Sequence, residues 1–262
     1  MTQIHPTAII DPKAEIDSTC AIGPFCVVGP NVVLHKNVTL KAHVIVDGHT
    51  TVGENTQIHP FASIGGAPQD LKYSGEPSEL IIGSNNMIRE YVTMNPGTES
   101  GGMKTVVGSN SLFMMSTHVA HDCKLGDHIV MANHATLAGH VTVGDHVWFG
   151  GLSAVHQFVR IGSYAVIGGM AGVENDVIPF GRVKGERGSL AGLNLIRMER
   201  LGMDKSQIKT LQRAFNLMFG EEGTMDQRID SVAEDFGDNE YVRQIVEFAR
   251  SKDKFTLCQP KK

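Results

Sequence analysis

The chain has 262 residues, 41% of them hydrophobic and 19% charged, ordinary proportions for a protein with a real core. Its net charge of −5 argues against nucleic acid as a partner, and no stretch approaches the roughly 20 apolar residues needed to span a bilayer. Four cysteines (Cys20, Cys26, Cys123, Cys258) without a CxxC pair indicate neither a disulfide framework nor a thiolate zinc site. The opening segment MTQIHPTAIIDPKAEID has no basic start and no long apolar run, so no signal peptide is expected and the location is expected to be cytoplasmic, without stable membrane insertion.

From the first residues onward, aliphatic side chains recur at every sixth position: Ile4, Ile10, Ile16, Ile22, Val28, Leu34, Leu40, Val46, Val52, Ile58, Ile64. Small or β-branched residues follow four positions after each, as at Ala8, Cys20, Val32 and Thr50. A period of six fits neither an amphipathic helix nor an alternating strand. It fits a short strand and a turn, repeated, with the aliphatic side chain pointing into a narrow core. Three hexads, 18 residues, make one triangular coil, and coils stack at the spacing of hydrogen-bonded strands, about 4.8 Å. The low aromatic content, 6%, beside 29 glycines suits such small stacked units. The expected fold is therefore mainly β, a parallel β-helix over residues 1–180.

Two interruptions are expected as excursions from the coil, near 66–80 and 97–105. The first, GAPQDLKYSGEPSEL, is polar and a candidate functional loop; the second, GTESGGMKT, is glycine-rich and reads as a flexible excursion. The hexads resume at Val107 and continue through Phe113, Val119, Leu125, Met131, Leu137, Val143, Phe149, Val155, Ile161, Ile167 and Val173. Several of the 12 histidines crowd this part: His118, His121, His140 and His156. The 18-residue coil stacks Asp122 under His140, and His121 under Gly139 and then Gln157. Glycine between two side-chain-bearing positions leaves a notch beside the His121 imidazole. A histidine there could act as a general base, since its ordinary pKa lies near neutrality. Two nearby histidines could equally bind zinc, and spacing alone does not choose between the two.

After Pro179 the apolar spacing becomes helical, in SLAGLNLIRMERLGM, SQIKTLQRAFNLMFG and YVRQIVEFA, which predicts an α-helical C-terminal domain over 181–262. Its first part, 181–213, holds eight lysines and arginines against three acidic residues, a docking surface for something acidic.

Taken together, HVAHDCKLGD, ATLAGHVTVGD, GGLSAVHQFVRIG, PQDLKYSGEP and GLNLIRMERLG resemble the bacterial UDP-N-acetylglucosamine 3-O-acyltransferases over essentially the whole chain. The resemblance implies a left-handed β-helix and a homotrimer with sites between neighbouring subunits. It also implies transfer of an (R)-3-hydroxyacyl group from acyl carrier protein to the 3-hydroxyl of UDP-N-acetylglucosamine, the first step of lipid A biosynthesis. By motif, His121 is the general base, supported by Asp122 and His118, and the Gly139 amide holds the oxyanion. Gln69, Asp70, Lys72, His140, His156 and Gln157 are implied to contact substrate. Asn194 and Arg200 are implied to grip the nucleotide or the phosphopantetheine arm, and Gly169 to act as acyl-chain ruler. No metal or resident cofactor is implied, because the acyl-phosphopantetheine thioester is already activated. One departure concerns the nucleotide: the family commonly has an acidic residue where this chain has Ile196, and its Arg-Arg-Gly run is reduced here to Arg200-Leu201-Gly202. The rival readings are a hexapeptide acyltransferase with a coenzyme A donor, the related N-acyltransferase with its extra N-terminal domain, and a γ-type carbonic anhydrase-like zinc protein.

Overall fold

A computed structural model describes residues 3–251 and 253–261. Two-residue strands alternate with tight turns, and each strand pairs in parallel with the strand one coil away: Gln3–Ile4 with Ala21–Ile22, then Thr39–Leu40, then Gln57–Ile58. Among the described residues the strands form three sheets of eleven, nine and eight members, the three faces of a triangular prism. The prism is a left-handed parallel β-helix, the opposite hand to ordinary parallel crossovers. The hexad side chains point inward and stack in columns, so that Leu34, Leu40, Ile58, Ile64, Phe113 and Phe149 are all buried. Their burial supplies most of the cohesion, about 1.5–3 kcal/mol for each large aliphatic side chain.

Each corner turns through a residue in left-handed conformation, among them Asn37, Asn55, Asn85 and Asn110 at one edge (φ 57–58°). Asparagine tolerates this backbone, and here it also builds a ladder: the Nδ2 of each donates to the Oδ1 of the next at 3.0, 3.1 and 3.2 Å. The coil does not lapse between the two excursions. Ile82, Ile88 and Met94 are buried hexad residues, on strands Glu79–Ile82, Met87–Ile88 and Thr93–Met94. The repeat therefore resumes before Val107, and each excursion simply leaves the corner between the second and third sheets and returns to it.

Beyond residue 180 the chain first adds an antiparallel strand pair, Gly181–Lys184 and Ser189–Leu193, to the end of the first sheet. Helices begin only at Leu195: α1 (Leu195–Arg200), α2 (Lys205–Met218), α3 (Met225–Phe236) and α4 (Glu240–Arg250). Reciprocal capping boxes, Asp204 with Gln207 and Thr224 with Gln227, fix where α2 and α3 start. After α4 the tail returns to the β-helix, where the Asp176 N–H donates to the Thr256 carbonyl (3.0 Å) and the Cys258 N–H to the Asp176 carbonyl (2.8 Å). Arg160 clamps this junction through the Asp176 carboxylate at 2.7 Å. All four cysteines are free and buried, and burial pushes the Cys123 thiol up to about 12. No helix among the described residues is long and apolar enough to cross a membrane.

Phe113 is fully buried in the first-sheet column between Ile88 and Met131. Phe113→Ala is expected to lower the unfolding free energy by about 3–5 kcal/mol, because stacked coils cannot close laterally over the void. Urea denaturation of the two proteins measures it.

Candidate active site

The corner between the second and third sheets carries the site. The strand His118–Val119 ends the second-sheet segment, His121 and Asp122 form the turn, and Lys124–Leu125 begins the third. One coil further on, the same turn is Gly139 and His140; the next is Gln157 and Phe158. The His140 N–H donates to the His121 carbonyl and the Phe158 N–H to the Gly139 carbonyl, both at 3.0 Å, which locks the coils in this register.

Asp122, His140 and Phe158 all occupy the left-handed turn position, with φ of 61°, 63° and 67°. Gly139 lies outside that region, so its role is room. A Cβ on Gly139 would stand 2.5 Å from His121 Cε1 and 2.7 Å from Nε2, inside the imidazole. Only glycine lets the ring lie across the next coil. Among the described residues the Gly139 N–H has no acceptor, which leaves it free for a ligand.

His121 Nδ1 lies 2.8 Å from Asp122 Oδ2. An ionised carboxylate only accepts, so Nδ1 carries the proton and Nε2 keeps its lone pair. Asp122 is itself held: Thr98 donates its N–H to Oδ1 at 2.9 Å and its hydroxyl to Oδ2 at 2.6 Å. Thr105 Oγ1 accepts the Asp122 N–H at 2.7 Å. Thr98 comes from the second excursion, which the sequence reads as flexible, and Thr105 from the strand Lys104–Val107 on which the excursion ends. Instead Thr98 is buried, and Gly101 gives the excursion room beside the carboxylate.

His140 Nε2 stands 3.8 Å from Asp122 Oδ2, with its ring edge-on to His121 at 5.1 Å and stacked on Phe158 at 4.3 Å. Burial lowers the His140 pKa against the opposing pull of Asp122. His118 shares a short bond with Thr93 Oγ1 (2.7 Å); burial foremost, and then the charge of His121, lowers its pKa as well. The neighbours of His121 thus favour their neutral forms.

A lowered folded pKa means the unfolded chain binds more protons once the pH drops below the ordinary histidine value of 6.5. His118 therefore contributes stability above that pH and loses it as pH falls through 6.5, at up to about 1.4 kcal/mol per pH unit. His118→Asn is expected to flatten this acid slope. Unfolding midpoints of both proteins between neutral and mildly acidic pH check it.

The first excursion reaches the same corner. Asn95 Nδ2 holds it by the Gly66 and Ala67 carbonyls at 3.0 and 3.3 Å, and Asp70 is close enough to raise the His140 pKa by its charge. Gln69 and Lys72 are exposed, and the Lys72 N–H donates to Asp70 Oδ1 at 3.0 Å. His156 and Gln157 are exposed on the coil beyond, with His156 edge-on to Phe255 at 5.6 Å. Lys254 Nζ sits 3.1 Å over the Phe158 ring. Phe158 could have been found from the sequence, since it continues the Asp122–His140 column, and so could Thr105, which holds the small or β-branched position before Val107; Thr98 and Lys254 carry no periodic signal.

Three sequence candidates stand elsewhere on one chain. Asn194 caps α1 and donates from Nδ2 to the Tyr164 carbonyl at 2.9 Å, and with Arg200 it lines a cleft of about 1220 Å³ against the first sheet. Gly169 lies at the corner between the first and second sheets, in column with Gly151. As for a metal, His121, Asp122 and His140 offer three ligand atoms within 4.8 Å of one another. Two of the three, His121 and Asp122, are joined by the 2.8 Å hydrogen bond, and His140 Nε2 stands 3.8 Å from the same carboxylate.

A family model described as UDP-N-acetylglucosamine O-acyltransferase, domain 2, matches residues 176–257. A Rhizobium etli protein named acyl-[acyl-carrier-protein]–UDP-N-acetylglucosamine O-acyltransferase is 45% identical over 208 residues, 79% of this chain and 76% of its own length. A Caulobacter vibrioides protein of the same name is 50% identical over 210 residues, 80% of each chain. The crystal structure of UDP-N-acetylglucosamine O-acyltransferase from Moraxella catarrhalis superposes with a TM-score of 0.95 at 39% identity, covering 98% of this chain and 99% of that one. The names favour neither the carbonic anhydrase-like nor the coenzyme A reading. With coverage of both halves of the molecule at this identity, the chain belongs to the UDP-N-acetylglucosamine O-acyltransferase family.

Proposed function

We propose that the chain transfers an (R)-3-hydroxyacyl group from acyl carrier protein to the 3-hydroxyl of UDP-N-acetylglucosamine in the cytoplasm, opening lipid A synthesis, with His121 as general base. The observation that carries this is the His121–Asp122 pair, whose Nε2 lies over the Gly139 notch. His121 Nε2 takes the proton of the sugar hydroxyl as its oxygen attacks the thioester carbonyl. The Gly139 N–H stabilises the resulting oxyanion. Collapse expels the phosphopantetheine thiolate, which receives the proton from the His121 imidazolium. Asp122 keeps the imidazole in its Nδ1–H tautomer throughout, and it stabilises the cation while it lasts. The reaction needs no metal, and acyl-phosphopantetheine arrives with the carrier protein.

The chain acts as a homotrimer. Gly169 stands at another corner of the prism than His121, and Asn194 and Arg200 belong to α1 and its cap beside the first sheet, so a neighbouring subunit brings them to the cleft beside His121. Asp70 and Lys72, with Gln69, His140, His156 and Gln157, contact the sugar and its phosphates. The basic stretch 181–213 steers the acidic carrier protein. The test is acyl transfer from 3-hydroxyacyl-acyl carrier protein to UDP-N-acetylglucosamine by the purified trimer, with acyl-coenzyme A as the competing donor. Turnover with coenzyme A alone would assign a different donor, and a monomer with full activity would remove the shared site.

A further inference from the structure

The chain has one tryptophan, and it lies outside the core: Trp148 is 48% exposed. Its place is the outward face of the first sheet, in register between Val130 and Val166, where it lines the cleft that also holds Asn194 and Arg200. Among the described residues three arginines line that cleft, Arg182, Arg197 and Arg200, and no acidic residue does, although the chain as a whole carries −5. Arg197 is fixed in place, with one guanidinium nitrogen 2.9 Å from His146 Nδ1 and its carbon 5.5 Å from the Tyr164 ring centre. Arg182 is exposed and lies two rungs along the ladder from Trp148, about 10 Å at ordinary strand spacing.

A flat exposed π-face beside unpaired cations suits a ligand with a planar ring at one end and an anionic group roughly a nucleoside's length away. The cleft also offers aliphatic walls, Val130, Val166, Leu193 and Ile196 among them, but neither an acyl chain nor a phosphopantetheine arm has a ring to stack on Trp148 or, in the chain's case, a charge for the arginines. Of the substrates in the proposed reaction, the acceptor is the one that joins a planar base to a diphosphate.

We propose that Trp148 is the platform on which the nucleobase of the nucleotide-sugar acceptor stacks, with Arg182 and Arg200 attracting its diphosphate. This rests on the acyltransferase reading for the identity of the ligand. Ile196, 64% exposed in the same cleft, adds an apolar contact and no carboxylate, so the base is held by its face and its anionic tail. Stacking on an aromatic face tolerates any base, and recognition here is by shape and charge.

Because Trp148 is the sole tryptophan, its emission reports on the site directly. Titration of the trimer with UDP, and separately with UDP-N-acetylglucosamine, is expected to change that emission saturably, whereas 4′-phosphopantetheine leaves it unchanged. Trp148→Ala is expected to raise KM for the nucleotide sugar by about tenfold, the loss of one base-stacking contact. Its kcat and its KM for the acyl-carrier donor should stay within about twofold, and Trp148→Phe should recover most of the acceptor KM. Unchanged emission at acceptor concentrations that saturate turnover overturns the platform, as does a Trp148→Ala defect confined to the donor KM. A wild-type protein that responds to UDP yet transfers no acyl group keeps the platform and removes the acyltransferase reading instead.

Discussion

His121→Ala is expected to lower kcat/KM for acyl transfer by about 10²–10⁴-fold, the range a positioned general base contributes. The loss should fall on kcat, because the proton is taken in the transition state and not on binding. Stability should hardly change. The His121 side chain is a turn residue whose only hydrogen bond in the described chain is to Asp122, and the column beneath it is secured by backbone bonds. Removing the ring leaves the Gly139 notch merely larger. Residual activity is expected, since the Gly139 amide and substrate positioning remain. The measurement is steady-state transfer by the trimer, with its unfolding midpoint as control. A variant within tenfold of wild type would show that another group takes the proton.

The hexads made most of this architecture legible before any coordinates. Stacking His121 under Gly139 follows from counting 18 residues, and the clash of a Gly139 Cβ with the imidazole is the physical content of that count. The coil through Ile82, Ile88 and Met94 was harder to read, because excursions bracket it on both sides and break the phase of the pattern. Excursion contacts are less legible still. GTESGGMKT is polar and glycine-rich, the composition of a mobile loop, yet its first threonine, Thr98, is buried against Asp122. Nothing periodic marks Thr98; only the folded corner brings it to the carboxylate. The tail is a similar case. Lys254 and Phe255 reach the site because Arg160 and Asp176 dock the chain after α4, a contact between residues distant in sequence. Asn194, Arg200 and Gly169 carry their assignment by motif alone: in one chain the first two belong to α1 and its cap, and Gly169 lies on another corner than His121.

Asp122→Asn should cost nearly as much as loss of the base, about 10²–10⁴-fold in kcat, by reversing a tautomer. The asparagine is nearly isosteric and fits the buried position. Its oxygen can still accept the Thr98 N–H, but its amide nitrogen then takes the place of Oδ2, between Thr98 Oγ1 and His121 Nδ1. The threonine hydroxyl can rotate to accept. Nδ1 of His121 can answer an N–H donor only by giving up its own proton, so the proton moves to Nε2. The imidazole then presents a donor where the sugar hydroxyl needs an acceptor, although every heavy atom sits where it did. Loss of the carboxylate also removes the charge that supports the imidazolium during transfer. The resonances of the His121 ring nitrogens read this directly: the Nδ1–H tautomer is expected in the wild type and the Nε2–H tautomer in the variant. A loss of activity with the wild-type tautomer retained would place Asp122 in a purely electrostatic role. Full activity with the tautomer reversed would end the assignment of His121 Nε2 as the proton acceptor.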